Sequence, residues 1–477
     1  RYIYLSAVFS APIVEESRPA PGVLLVTFPP ETREVIVLAG ISGVAPEGAW
    51  ANRLAEMDGI GFDFDKALAT AQARWIEALG SIRVKGGPAD VFYTNFYHTF
   101  LTPNRLDDID GRYRDESARN RQLPQGRHFY STLSLWDTFR AWHPLQTILA
   151  PGFVADMVNS MLDDYDCREE LPVWPLSSDE TDCMIGYHSV SVIADAWLRG
   201  IRDFDGEKAL QAMVASSNKR NANASELYNA YGYIPADLKV EAVSQTLEFC
   251  YDDWCIARMA ESLGHADLAA EYDARALRYR NLFDPSTGFF RGKDSEGNWR
   301  IPFDPEGASR DYTEATAWQY RHFVTQDPAG YAALMGGNEA ACASLDSLFD
   351  YGYRNSDLSD SWFVTGSIGK YAHGNEPSHH IAYFYTMMGQ PWKTADRVRQ
   401  ILSEQYGTGY DGLSGNEDVG QMSAWYILSA FGFYQVEPAG TRLWFGSPLF
   451  KKAEIAVSGG TFTIQAPATR DTNRYIQ

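Results

Sequence analysis

Gly415-Asn416-Glu417-Asp418-Val419-Gly420-Gln421-Met422-Ser423-Ala424-Trp425 passes from a glycine-bounded run of carboxylates and amides into an amphipathic helical stretch, 419–431. The same step occurs upstream. Gly374-Asn375-Glu376-Pro377-Ser378-His379-His380 opens 377–387, and Gly389-Gln390-Pro391-Trp392-Lys393-Thr394 opens 391–404. Working outward, helical periodicity also covers 89–101, 137–149, 152–164, 187–200, 206–217, 240–262, 265–281 and 328–349. Asp63-Phe64-Asp65 gives an acidic start to one more helix, through Ala67 to Ile76. Roughly a dozen helices, separated by loops rich in Gly, Pro, Asp and Trp, predict a mainly α chain. The predicted architecture is an (α/α)6 toroid over 61–437. A solenoid is the alternative, but no repeat of fixed length is visible.

The flanks read differently. Tyr2-Ile3-Tyr4-Leu5, Gly22 to Phe28 and Val35-Ile36-Val37-Leu38-Ala39 are β-rich runs punctuated by Pro and Gly. Residues 1–60 therefore predict the remainder of an N-terminal β-sandwich. Leu443-Trp444-Phe445, Ala453 to Val457 and Thr461 to Gln465 predict returning strands in 438–477, packed on that sandwich. Arg1 to Ser6 and Arg474 to Gln477 are strand-like at the limits of the chain, so both ends read as truncated.

Composition narrows the function classes. The formal net charge is -21, from 62 acidic and 41 basic residues, which disfavours nucleic acid and anionic membrane as partners. No apolar run approaches the ~20 residues of a membrane span. Aromatic residues make up 14% of the chain, which suits stacking on sugar rings as well as a large helical core. The five cysteines form no CxxC pair, which argues against a zinc ribbon or thioredoxin site; Cys250 and Cys255 read as buried thiols.

Several carboxylates stand where chemistry is plausible. Glu314 precedes Trp318-Gln319-Tyr320, and an acid among aromatics is partly desolvated and holds its proton toward neutrality. A first-turn helix acid favoured by the dipole is the alternative. Asp137, between Trp136 and Thr138 at a loop-to-helix junction, reads by itself first as a helix N-cap. His373-Gly374-Asn375-Glu376 offers the oxygens that calcium takes in sets of six to eight, or is a solvated polar turn. Adjacent His379 and His380 cannot both face one site. Asp252 and Asp253 sit mid-helix and read as braces, and Glu248 lies one turn before Asp252 on the same face. Glu180 is a candidate for hydrogen bonds behind the site, and Asn223-Ala224-Ser225 is a formal glycosylation sequon of a kind frequent by chance.

Longer runs carry a resemblance. They are Ser134-Leu135-Trp136-Asp137-Thr138-Phe139-Arg140, Glu180 to His188, Gly232-Tyr233-Ile234-Pro235, Val243 to Glu248, Tyr251-Asp252-Asp253-Trp254, and Thr313 to Tyr320, followed by the loops quoted first. In this order the chain resembles glycoside hydrolase family 92, the calcium-dependent, inverting exo-acting α-mannosidases. The resemblance implies that Glu314 is the general acid and Asp418 the general base. It implies substrate contacts from Trp136, Asp137, His373, Gly374, Asn416 and Trp318, and a calcium ion held by Asn375 and Glu376. A mannose-containing oligosaccharide or glycoprotein glycan is the implied partner, in a secreted, periplasmic or cell-surface setting.

The chain departs from the family at Ala315-Thr316, where relatives usually carry Gly-Asn, and at Asn416, where some carry a second Asp. Members acting on α-1,2 bonds often place an acid where Gly374 stands, so a non-1,2 linkage is expected here. Two rivals remain: another inverting (α/α)6 glycosidase that needs no calcium, and a catalytically impaired sugar-binding homologue.

Overall fold

Strands come first along the chain, three of them on the β-rich runs and one, over Glu15–Ala20, that no such run announces. The computed structural model describes residues 2–177, 179–219, 223–307, 309–352 and 364–476; the expected strand-like termini at Arg1 and Gln477 lie outside the described residues. Strands β1 (Tyr4–Phe9) and β4 (Val37–Ser42) pair antiparallel, as do β2 (Glu15–Ala20) and β3 (Val23–Thr27). A helix the β reading did not foresee, α1 (Pro46–Glu56), follows with Pro at its start and Glu47 in its first turn. It packs on β1 and β4. Helix α2 (Phe64–Leu79) begins as its acidic start predicts, with Asp63 accepting from the Lys66 backbone N–H at 2.9 Å.

Compactness divides the chain into residues 1–81 with 105–131, and 82–104 with 132–477. The C-terminal strands Lys452–Val457 and Gly460–Gln465 belong to the second unit, where Lys452–Val457 pairs with β5 (Ile82–Lys85) in register Ile455 with Ile82. Burial fixes that register: Ile82, Ala453 and Ile455 share one buried face.

The second unit is mainly helical. It contains α3 (Ala89–His98), α4 (Leu135–Thr138), α5 (Trp142–Leu149), α6 (Pro151–Arg168), α7 (Ser189–Leu198), α8 (Gly206–Lys219), α9 (Ala224–Tyr231), α10 (Ala242–Leu263) and α11 (Ala266–Ala276). It continues with α12 (Ala317–Tyr320), α13 (Pro328–Met335), α14 (Asn338–Asp350), α15 (Phe384–Met387), α16 (Pro391–Glu404) and α17 (Gln421–Phe431). Most neighbours in space are neighbours in sequence: α5 on α6, α6 on α7, α10 on α11, α13 on α14 and α15 on α16. Helix α17, expected to be amphipathic, is buried along its whole length. That is the signature of a helix enclosed on all sides. It packs on α16 but also on α3 and α5, so the last helix meets the first.

Candidate active site

Three loop-to-helix junctions of the second unit bring carboxylates together. Asp137 stands on the single turn α4, where Ser134, not Asp137, occupies the N-cap position and donates its hydroxyl to the Asp137 carboxylate. Glu314 precedes α12. Thr316 caps that helix in a capping box with Gln319, so the departure at Ala315-Thr316 keeps a well-formed start. Asp418 precedes α17. Here Asp418, Val419 and Gly420 have φ of 49°, 60° and 90°, a run in the left-handed region. Gly420 is required as well by space, because a Cβ would lie 2.6 Å from the Trp142 ring. Glu314 is also left-handed, at φ 46°. Such backbone persists where the surroundings over-determine it, as around working residues.

Two tethers fix the Asp418 loop. Gln421 accepts from the Ala141 and Trp142 N–H groups at 3.0 and 3.1 Å, and so binds the start of α5. Glu417 turns away from the site, accepting from Ser423 N and Oγ at 3.1 and 2.8 Å and pairing with His98 at 3.1 Å.

A cavity of about 240 Å³ joins these segments. Asp137, Glu314 and Asp418 line it, with Trp136, Gly374, Asn375 and Asn416 from the expected set. Ser134, Trp174, Cys183, Met184 and Thr365 line it without having been singled out. Cys183 and Met184 belong to a quoted motif, whereas nothing in the sequence marks Thr365. Two expected substrate residues are elsewhere. His373 is buried with its ring nitrogens 2.7 Å from the Tyr371 and Tyr406 hydroxyls. Trp318 packs against Phe289 and Tyr351. Neither lines the cavity, because the tyrosines and the aromatic cluster claim their rings first.

Asn375 faces the acid. Its amide donates to the Glu314 carbonyl at 2.8 Å and carboxylate at 3.2 Å, and its oxygen accepts from Glu376 N. Burial holds the Glu314 carboxyl above the usual range; the Asn375 hydrogen bond opposes this, and the charges of Asp418 and Glu241 add to it.

Glu376 is fully buried and neither of its oxygens accepts a hydrogen bond. Its near neighbours are carboxylates: oxygens of Asp137, Glu376 and Asp418 all lie within 4.8 Å of one another. Burial raises all three pKa values, to about 6 for Asp418 and well above the usual range for Asp137 and Glu376. Unpartnered buried carboxylate oxygens facing each other require protons or a cation between them. All donors being hard oxygens, the group fits calcium. Asn375, the other expected ligand, stands beside the group with its NH2 donating to Glu314, and Asp137 and Asp418 join Glu376 in the acidic group.

Other expected acids brace the walls. Glu180 accepts from the N–H groups of Val173, Trp174 and Asp182 at 2.7, 2.9 and 2.8 Å and so shapes the Trp174–Met184 loop. Asp253 accepts from the Tyr187 and Tyr228 hydroxyls and pairs with Arg275 at 3.0 Å. His379 and His380 are both buried, each with Nε2 at a backbone carbonyl oxygen.

The model of the glycosyl hydrolase family 92 catalytic domain matches residues 48–477. The chain belongs to glycoside hydrolase family 92. A solved family 92 α-mannosidase of Bacteroides thetaiotaomicron superposes with a TM-score of 0.90 at 36% identity, over 97% of this chain and 64% of its own. The same mannosidase has been solved with mannoimidazole bound, and superposes at 0.89. A family 92 inverting mannosidase of that bacterium gives 0.88 at 34% identity, over 98% of this chain and 68% of its own. An uncharacterized secreted glycosidase of Arthroderma benhamiae is 24% identical over 469 residues, 89% of this chain. The chain spans about half the length of that curated relative, 54%, and just under two thirds of the first mannosidase.

Proposed function

We propose that this family 92 chain is a calcium-dependent, exo-acting α-mannosidase that removes terminal α-mannose from glycans with inversion. The observation that carries the reading is the placement of Glu314 and Asp418 on one small cavity, with the Glu314 carboxyl held toward its protonated form. At about 240 Å³ the cavity is below the ~300–1,000 Å³ of sites for drug-sized ligands, which suits one terminal sugar ring. The return of α17 to α3 and α5 supports closure of the helices into an (α/α)6 toroid around it.

In this reading Glu314 protonates the leaving glycosidic oxygen, and Asn375 fixes the orientation of its carboxyl. Asp418 takes the proton of the attacking water, which Asn416 helps to hold. Inversion asks for ~6.5–9.5 Å between the two carboxyl groups, so that the water fits. Trp136 supplies an apolar wall, and Asp137 accepts from sugar hydroxyls. Asp137, Glu376 and Asp418 would hold the calcium ion, which when bound supplies Lewis-acid attraction for neighbouring sugar hydroxyls and helps orient the ring.

Gly374 bears on linkage. A Cβ there would lie 2.0 Å from Thr365 Oγ1 and 2.6 Å from the Ser414 carbonyl oxygen, so this loop has no room for an acid unless both Thr365 and the Ser414 backbone move. A non-α-1,2 preference follows, and a faster rate on α-1,2- than on α-1,3-mannobiose would refute it. The name of the Arthroderma relative supports a secreted setting, and no described helix is long and apolar enough to cross a membrane.

The test is a time course on linkage-defined mannobiosides, with and without chelator, read by NMR for anomeric configuration. Early β-mannose that disappears with chelator is expected. Glucoside hydrolysis indifferent to chelator would favour a different inverting glycosidase, and mannose binding without turnover a sugar-binding homologue.

A further inference from the structure

Glu248 lies on α10, fully buried and outside the lining of the cavity. Its carboxylate collects donors from three separate segments. Trp136 Nε1 donates at 3.0 and 3.2 Å, the Tyr320 hydroxyl at 2.9 Å, and His188 Nε2 lies at 3.0 Å. The Arg140 guanidinium stands 3.8 Å away. Each donor belongs to a stretch that carries a cavity residue. Trp136 precedes Asp137 on α4, Tyr320 ends the helix that follows Glu314, and His188 follows the loop through Cys183 and Met184.

The far side of the imidazole is also anchored. His188 Nδ1 lies 2.7 Å from Asp252 Oδ1, and Asp252 Oδ2 accepts from Tyr187 N at 2.8 Å. A ring with a carboxylate on each nitrogen donates from both and is an imidazolium. The two carboxylates raise its pKa to about 9 against the opposing effect of burial. Glu248 is thus an acceptor met by donors on every polar side.

We infer that Glu248 is a positioning residue. It is a charged hub that sets where the Asp137, Glu314 and Cys183–Met184 segments stand relative to one another, and so the alignment of the acid with the floor of the site. The inference rests on the proposed hydrolysis for its consequence, and on the hydrogen bonds alone for its existence. The isosteric Glu248→Gln keeps the packing but replaces one acceptor oxygen with an N–H aimed at a donor. Three segments then lose a common anchor. A displacement of ~1 Å in such a frame costs about 10²-fold.

The experiment compares wild type with Glu248→Gln on a mannoside series, and reads the ¹⁵N-indole resonance of Trp136, identified by its loss in Trp136→Phe. Expected are a fall of kcat by about 10²-fold with a smaller change in KM, and an upfield indole shift as the bond to a carboxylate is lost. Wild-type kcat in a folded Glu248→Gln, or an unmoved indole signal, overturns the inference. If Glu248→Gln does not fold, Tyr320→Phe and Trp136→Phe, each deleting one donor, take its place. Coupling between them in the double variant supports a shared hub, and additive effects on kcat overturn it. A wild type inactive on every mannoside would refute the proposed function instead, and the indole shift would still judge the hub.

Discussion

Glu376→Gln removes one charge from the buried trio and almost nothing else. Two carboxylate charges no more than 4.8 Å apart, at an effective dielectric of ~20, repel by at least about 3.5 kcal/mol. Three such charges do not coexist in a buried site, so without a cation the trio is held by protons. With a cation it ionises, and the binding free energy becomes folding stability. Calcium at 100 times its Kd then stabilises wild type by about 2.7 kcal/mol. For domains of 150–250 residues each kcal/mol moves Tm by about 2–4 °C, and by less in a larger unit, so a rise of about 3–8 °C is expected. Glu376→Gln keeps the shape but loses the carboxylate whose oxygens no protein donor satisfies. In chelator its Tm should equal or exceed that of wild type, and added calcium should leave it nearly unchanged. Scanning calorimetry of both proteins, with chelator and with millimolar calcium, makes the comparison without reference to activity. An equal calcium-induced rise in both would place the ion elsewhere. No rise in wild type would remove the calcium assignment.

Glu314→Gln is expected to lower turnover of ordinary mannosides by ~10²–10⁴-fold with binding nearly intact, and a dinitrophenyl leaving group, which needs no proton, should recover much of the rate; undiminished turnover refutes the acid. Asp418→Asn should abolish turnover for good and poor leaving groups alike, and azide should yield no product of retained configuration. A further expectation concerns pH and Glu437, whose carboxyl burial raises to about 7 despite the indole of Trp444 at 2.9 Å and Arg442 at 3.1 Å. A raised carboxyl pKa adds stability below the unfolded value near 4.5, and that contribution is lost as pH rises through about 7. Glu437→Gln should therefore match wild type near pH 5 and exceed it near pH 8, by no more than about 3 kcal/mol; a constant difference in Tm across that range would refute the shift.

Local signals made the helices legible, and only some of the site. Asp63 before α2 and the periodicity of α6, α8, α10, α11 and α16 mark those helices in the sequence. Helix α1 hid because its Ala- and Gly-containing stretch lies among β-rich runs, and α12 because one turn has no period to detect. Glu314 and Asp418 were found through their motifs, and both stand on the cavity. His373 does not line the cavity, and nothing in His-Gly-Asn-Glu tells that Tyr371 and Tyr406 take its ring. Asp137 gave no sign of joining Glu376, since their meeting depends on packing between distant helices. Glu248 shows in the sequence as the end of the Val243–Glu248 run and as a face-mate of Asp252, neither of which marks a hub. Its partners Trp136, His188 and Tyr320 come from three other segments, a convergence with no periodicity to announce it.

The packing of α17 on α3 and α5 also orders events during synthesis. Gln421 holds Ala141 and Trp142 across 280 and 279 residues of chain, and Ser423 donates to Asn95 across 328. Contacts that distant carry the loop-closure entropy of nearly the whole unit and form late. On a ribosome the early helices emerge first and wait, at ~5–20 residues per second, for α17 to arrive. During that interval the surfaces of α3 and α5 that will meet α17 stand open to chaperones and to self-association. The helical unit completes its small cavity late, when α17 packs against α3 and α5.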